Sequence, residues 1–204
     1  MVRNGMGNLI TRLRGMTNAG MTDFTLNSVN YFADSHLQDI LDANVTWVHD
    51  EPLTWQIDTI GGGSIEYKTC WAGDFRDYEE ATSGTAYWAV RDGPGAFIGT
   101  ANYTPDYLTG RIVFSADQGG TAYYLTARSY DLYSAAADVW LQRQSFYSNW
   151  YDFQSDDQKF SRKQAFDNAV AMEKEMRQRS GQNANRGMFR TSTFFRTDVN
   201  KSEV

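Results

Sequence analysis

Cysteine and histidine, which carry much of enzyme and metal chemistry, are nearly absent from this sequence. It has one cysteine, Cys70, and two histidines, His36 and His49, among 204 residues. A lone cysteine has no partner for an intramolecular disulfide, so the chain is not a small disulfide scaffold. Neither histidine has further ligands at the spacing of a zinc site. We therefore predict a buried, inert Cys70, no metal site and no cofactor.

Long apolar runs are absent too. No stretch approaches the ~20 residues that a membrane-spanning helix needs, and no apolar core of a signal peptide follows Arg3. We expect a protein that is made in the cytoplasm and has no membrane among its partners.

Motifs for catalysis are missing as well. The Gly61–Ser64 stretch lacks the Gly-x-Ser-x-Gly elbow of serine hydrolases, and no glycine-rich loop continues into a phosphate-binding Gly-Lys-Ser/Thr. Paired carboxylates can cleave a glycoside, but acidic loops are common, and we predict that the chain is not an enzyme. The pairs are Asp74 with Asp77, Glu79 with Glu80, and Asp156 with Asp157.

Positive charge is scarce in the middle of the chain. The net charge is −6, but residues 1–20 carry Arg3, Arg12 and Arg14 and no acid. Residues 21–128 carry fifteen acids against five bases, and residues 159–204 carry ten bases against five acids. Unlike patches on neighbouring copies attract each other, so this polarity favours self-assembly over nucleic-acid recognition.

Helical periodicity is found at both ends of the chain. Asp23 or Thr25 can cap the second predicted helix. A capping box, Ser161-x-x-Gln164, begins the last one, and Gly181 ends it. The predicted helices span about 7–16, 25–44, 134–150 and 162–180.

The middle of the chain has the short β-branched and aromatic runs that are typical of strands. Glycine- and proline-containing turns separate these runs, which indicates a small antiparallel sheet or barrel. The predicted strands span 45–48, 53–57, 64–68, 87–90, 112–114 and 122–126.

Together these patterns predict an α+β fold. Residues 1–45 and 130–180 are expected to form a helical bundle, and residues 46–129 are expected to be an antiparallel β-domain inserted into it. Residues 181–204 are expected to be an extended C-terminal tail, because they are too polar to fold alone.

The tail contains a β-prone, aromatic segment, Met188–Thr197. Such a segment can add as a strand to the sheet edge of a partner, or Phe194 and Phe195 can pack on the chain's own helices. We predict partner-binding residues here. They are Arg186, Met188, Phe189, Arg190, Phe194, Phe195 and Arg196.

The order of segments resembles the head–tail adaptor (connector) proteins of tailed bacteriophages. Asn8–Met16 is similar to their opening helix, and Leu37–Asp42 to the end of their second helix. Tyr107–Phe114 is similar to a strand of members with an inserted β-domain. Tyr130–Asp138 and Phe160–Gln164 are similar to the starts of their last two helices.

The resemblance implies a structural protein of the virion neck. Such adaptors form a ring, commonly dodecameric, beneath the portal, and the ring extends the DNA channel and joins the tail. The partners implied are further copies of the chain, the portal protein, tail or other neck proteins, and genomic DNA that passes through without sequence-specific binding. The chain would be made in the host cytoplasm.

A second function stays open at this point, a carbohydrate- or receptor-binding β-module. Its stacking platform would be formed by Trp47, Trp55, Trp71 and Trp88.

Overall fold

The computed structural model describes residues 2–21, 23–26, 29–60, 64–81, 88–93, 95–148, 153–155, 158–160 and 162–188. These residues form an α+β fold with four α-helices and two main antiparallel sheets. The helices are α1 (Gly7–Thr17), α2 (Asp34–Ala43), α3 (Leu132–Ser148) and α4 (Arg162–Met188).

Eleven strands lie in the described residues, and seven of them build the main sheets. They are β1 (Thr25–Leu26), β2 (Val29–Asn30), β3 (Val45–Pro52), β4 (Thr54–Ile60), β5 (Ser64–Trp71), β6 (Trp88–Asp92), β7 (Tyr103–Asp106), β8 (Arg111–Phe114), β9 (Tyr123–Tyr130), β10 (Phe153–Ser155) and β11 (Gln158–Phe160). One sheet has the order β3-β9-β6 and the other β4-β5-β8-β7, while β1-β2 and β10-β11 are separate hairpins. All six predicted strands are confirmed, and β7 was not predicted.

The two main sheets bury their facing sides in one apolar core. In β9, for example, Tyr123, Leu125 and Ala127 are buried and the residues between them are half-buried, as expected of a strand with one side facing a core. We call this the sheet-side core. Its buried residues are Val48, Leu53, Cys70, Ala72, Tyr78, Trp88, Val90, Tyr103, Ile112, Phe114, Tyr123, Leu125 and Ala127.

A second core lies among the helices. Leu9, Ile10 and Leu13 place an apolar face of α1 in it, and α1 ends where Asn18 adopts a left-handed conformation (φ 51°). The predicted helix over residues 7–16 is therefore confirmed. We call this cluster the helix-side core. It also contains Phe24, Phe32, Leu37, Leu41, Tyr130, Leu132, Ala136, Val139 and Met176.

The second predicted helix begins later than expected. Residues 25–30 contribute the short β1-β2 hairpin, and α2 starts only at Asp34. The rings of Phe24 and Phe146 are stacked with centroids 4.4 Å apart, and Phe24 also meets Phe32 edge-on at 5.5 Å. This aromatic packing from both ends of the hairpin overrides the helical spacing of the sequence.

Helices α3 and α4 run antiparallel and pack along their lengths. Gln144, near the end of α3, donates to the carbonyl oxygen of Ala169 at 3.4 Å, and Ser180 Oγ donates to Asp131 Oδ2 at 2.5 Å, just before α3 begins. Helix α4 then continues past Gly181 to Met188, so its predicted end at Gly181 is wrong.

The prediction of a helical bundle with a β-domain inserted into it is also wrong. Strand β9 passes into α3 with only Asp131 between them. The loop before β6 is bonded to both sides of the molecule, since Glu79 N donates to Arg128 O at 3.0 Å and Glu80 N donates to Gly5 O at 3.2 Å. These hydrogen bonds connect the sheets and the helices into one structure. Hydrophobic periodicity along the chain is a local signal and does not predict such long-range connections.

One glycine is required by the turn between β7 and β8. Gly110 has φ +74°, and an added Cβ would lie 2.9 Å from the Tyr78 ring. Its carbonyl oxygen accepts from Ala72 N at 3.0 Å. Tyr107–Gly110 thus form a turn. The strand that was expected over Tyr107–Phe114 begins only at Arg111.

We expect Gly110→Ala to lower the free energy of unfolding by about 1–3 kcal/mol, because a side chain is strained at this φ and crowds Tyr78. Gly93→Ala is the matched control, since its added Cβ meets nothing within 4 Å, and should change stability by under about 0.5 kcal/mol. Urea denaturation measures both. Equal midpoints for the two variants would contradict the assignment.

Candidate functional site

A buried carboxylate lies where the sheets, the helices and the N-terminal segment meet. Glu79 is 1% exposed. Arg3 Nε donates to Glu79 Oε1 at 2.9 Å, Tyr130 Oη donates to Glu79 Oε2 at 2.7 Å, and Arg128 Nη1 lies 3.5 Å from the same oxygen. A buried carboxylate is tolerated only when it is paired and hydrogen-bonded in this way.

Arg3 extends this group of charges to α2. Its guanidinium forms a two-pronged ion pair with Asp42, at 2.7 and 2.5 Å, and its backbone N donates to Gln38 Oε1 at 2.7 Å. The Asp42 and Glu79 carboxylates raise the pKa of Arg3 above its ordinary value. We call Arg3, Asp42, Glu79, Arg128 and Tyr130 the Glu79 cluster.

The Glu79 cluster is suited to holding elements together. Burial raises the pKa of Tyr130, and the hydrogen bond to Glu79 adds to the rise, so the phenol stays protonated as a donor. Arg3 is held by Asp42 in the two-pronged geometry that fixes orientation, and Arg128 contacts Glu79. The cluster joins the N-terminal segment, α2, the 77–80 loop and β9.

The cluster is continuous with an exposed aromatic stack on the outer face of the three-stranded sheet. The Arg128 guanidinium lies 4.3 Å from the centroid of the Trp47 ring, which is stacked on His49 at 5.7 Å. Trp47 is 45% exposed. Aromatic and arginine side chains are enriched at the centres of protein interfaces, so this face has the composition of a contact surface.

The four tryptophans of the predicted stacking platform do not share a surface. Trp88 is buried at 3% exposure in the sheet-side core, while Trp47 lies on the outer face of the same three-stranded sheet. Trp55 packs on the core residues Phe114 and Tyr123, and Trp71 lies on the opposite side of its sheet under Arg111. The carbohydrate-binding alternative therefore lacks the geometry predicted for it.

The two histidines and the cysteine lie in separate places. His36 Nε2 is 3.0 Å from Gln142 Oε1, and His49 lies on Trp47. Cys70 is buried, as predicted, and burial raises the pKa of its thiol to about 12. Among the residues that the structure describes, no three His, Cys, Asp or Glu side chains are grouped so that they could hold a metal ion.

The acidic pairs of the sequence have separate partners rather than a shared site. Asp77 forms an ion pair with Arg12, Glu79 lies in the Glu79 cluster, and Glu80 accepts from Asn8. Asp156 and Asp157 lie outside the described residues.

The predicted partner-binding residues lie at and beyond the end of α4. Arg186 and Met188 are in its last turns. Phe189, Arg190, Phe194, Phe195 and Arg196 lie outside the described residues.

Sequence reasoning missed the Glu79 cluster. In the sequence, Arg3 is one of several scattered basic residues and Glu79 is half of an acidic pair. The one signal in the sequence is a glutamate inside an otherwise strand-forming region. It does not indicate that Arg3 and Arg128, 76 and 49 residues away, are its partners.

Comparison with known proteins gives no relative. No protein family, no curated protein and no solved structure matches the chain. Within the described ranges, none of the helices is both long and apolar enough to cross a bilayer.

We expect Glu79→Gln to lower the free energy of unfolding by about 3 kcal/mol, because it leaves two arginines without their shared buried charge. Glu175→Gln is the matched control. Glu175 pairs with Arg179 at the surface, where both side chains are roughly half exposed, and an exposed helix pair is worth about 0.3–0.5 kcal/mol. Urea denaturation of both variants decides the matter, and similar midpoints would show that the Glu79 cluster does not hold the fold together.

The burial of Asp77 predicts that the stability of the fold depends on pH. Burial raises the pKa of its carboxyl, against the opposing effect of Arg12. The folded chain therefore keeps a proton on Asp77 at pH values where the unfolded chain has lost it. The resulting stabilisation is fully present below the unfolded pKa and is lost as the pH rises through the folded pKa.

Asp77→Asn should remove this loss, so that the variant is at least as stable as the parent at neutral pH. Asparagine tolerates the positive φ of 58° at this position. Asp34→Asn, which also loses an ion pair to an arginine but at an exposed carboxylate, serves as the control. Urea midpoints measured from acidic to neutral pH test the slope, and an Asp77→Asn profile parallel to that of the parent would refute the prediction.

Proposed function

We propose that the chain is a non-enzymatic structural subunit, a head–tail adaptor that forms a ring beneath the portal of a tailed bacteriophage. In this proposal the ring extends the DNA channel and connects to tail or other neck proteins. The chain acts in the neck of the virion after synthesis in the host cytoplasm.

The observation that carries the proposal is the reach of α4. Ser180 contacts Asp131, the residue before α3. The helix continues for eight further residues to Met188, which is about 12 Å at 1.5 Å per residue. Two of the predicted partner-binding residues, Arg186 and Met188, therefore lie in the part of α4 that follows Ser180.

The distribution of charge supports the same proposal. The sheet region is acidic, and the chain from residue 159 onward is basic. Opposite charges on neighbouring copies favour a head-to-tail contact, and a head-to-tail contact closes into a ring when its rotation allows. Acidic surface along a channel would let DNA pass without adhering.

The outer face of the three-stranded sheet adds a second contact surface. Trp47, His49 and Arg128 form its exposed stack, and residues of these types anchor protein interfaces. A subunit that touches a neighbour on each side needs two such surfaces, and the α4 arm and this sheet face are separate features of the chain.

We expect deletion of residues 189–204 to leave the fold intact and to abolish assembly with the portal protein of the same virus. The buried residues described in the two cores all precede residue 189, so we expect both cores to be retained. Mass measurement in solution, with and without the portal, gives the ring size and the loss.

Retained portal binding by the shortened chain would contradict the assignment of residues 189–196. A full-length chain that forms no ring with the portal would contradict the adaptor function itself. The matched control is Leu108→Lys, an exposed turn residue at 49% exposure away from α4, which should assemble as the parent does.

A further inference from the structure

Strand β4 presents an open sheet edge. It is the terminal strand of the four-stranded sheet and pairs only with β5. In the described part of the chain, no backbone hydrogen bond reaches residues 54–60 from outside that pair. An edge of this kind is a template for another strand.

The other three sheet edges are protected. Strand β3 is interrupted near Asp50, which has φ 47°, and ends in Pro52. The outer edge of β6 is covered by the following loop, where Ile98 N donates to Val90 O at 2.9 Å. Strand β7 has four residues and contains Pro105, which lacks an N–H. Within the described part of the two main sheets, β4 is the edge strand that has neither a proline nor a covering segment, although its pairing with β5 shifts register between Gln56 and Asp58.

The two faces of the β4-β5 hairpin carry different types of side chain in the part that extends beyond the rest of the sheet. Ile57 and Ile65 lie on the side that continues from the sheet-side core, and they are 60% and 51% exposed. Asp58 and Glu66, which are directly cross-strand, lie on the other side. Lys68 pairs with Glu66 at 3.0 Å, while Asp58 accepts from Gln56 Nε2 at 3.0 Å and has no ion pair among the described residues.

We propose that the β4 edge accepts residues 189–197 of a neighbouring copy as an added strand. This inference rests on the proposed ring and names the partner of its C-terminal segment: the next copy in the ring. One contact per subunit, tail to β4, is head-to-tail and can close the ring.

The segment matches β4 in the alternation of its residues. In a strand, Phe189 and Phe195 would lie on one face, because they are an even number of positions apart, and Arg190 and Arg196 would lie on the other face. An added strand therefore places the two phenylalanines beside the Ile57 side of the hairpin and the two arginines beside the Asp58 side. Residues 189–197 contain no acid, so no like charge opposes Asp58.

Cross-linking of full-length chains tests the contact. One chain carries Gln56→Cys, on the Asp58 side of β4, and the other carries Ser192→Cys, in the middle of the segment. Because each chain has one new thiol, a short bismaleimide can join them only between copies. The native Cys70 is buried and has a raised thiol pKa, so it stays unreactive.

We expect a mixed dimer of the two chains, and we expect Ile57→Lys in the first chain to reduce its yield about tenfold, since a lysine blunts a strand edge. Leu108→Lys, at 49% exposure on the turn after β7, is the matched control and should leave the yield unchanged. Arg190→Glu with Arg196→Glu should also reduce the yield, and Asp58→Arg should restore it.

Two outcomes would overturn the inference. They are cross-links only between two copies of Gln56→Cys, which indicate pairing of β4 with β4, and no mixed dimer although rings form on the portal. In the last case the adaptor proposal stands. A mixed dimer from a chain that never binds a portal would support the β4 contact and overturn the adaptor.

Discussion

The fold depends on the burial of one charge. Glu79 is almost fully enclosed, and a carboxylate in that position is stable only while Arg3, Arg128 and Tyr130 surround it. Those partners come from the N-terminal segment and from β9, so all of them must be in place together. The sheet-side and helix-side cores are otherwise separate apolar clusters, and Tyr130 lies in the second while it bonds to the glutamate.

Local pattern predicted the elements well and their arrangement poorly. The strands are bounded by glycine-containing turns and were found as predicted, because alternation of side chains and turn residues are both local signals. The helical periodicity of residues 25–33 gives a wrong prediction, because Phe24 and Phe32 pack on Phe146, more than 100 residues away. The Glu79 cluster is also a long-range product, and nothing in the neighbouring sequence marks its members.

The proposed function follows from what the fold leaves outside its cores. The end of α4, the exposed Trp47 face of the three-stranded sheet and the β4 edge are the surfaces on which the proposed contacts lie. A subunit of a closed assembly needs complementary surfaces on two sides. Asp77, Glu79 and Glu80, in contrast, are occupied by ion pairs and hydrogen bonds within the fold.

The direct passage from β9 into α3 has a mechanical consequence. Strand β9 is the central strand of its sheet, and α3 is the helix that α1, α2 and α4 all contact. Between them stands Asp131, whose carboxylate accepts from the backbone N of Tyr133 and of Ser134 at 3.0 Å and also from Ser180. Asp131 thus links α4 and the first turn of α3 directly to the central strand of the sheet.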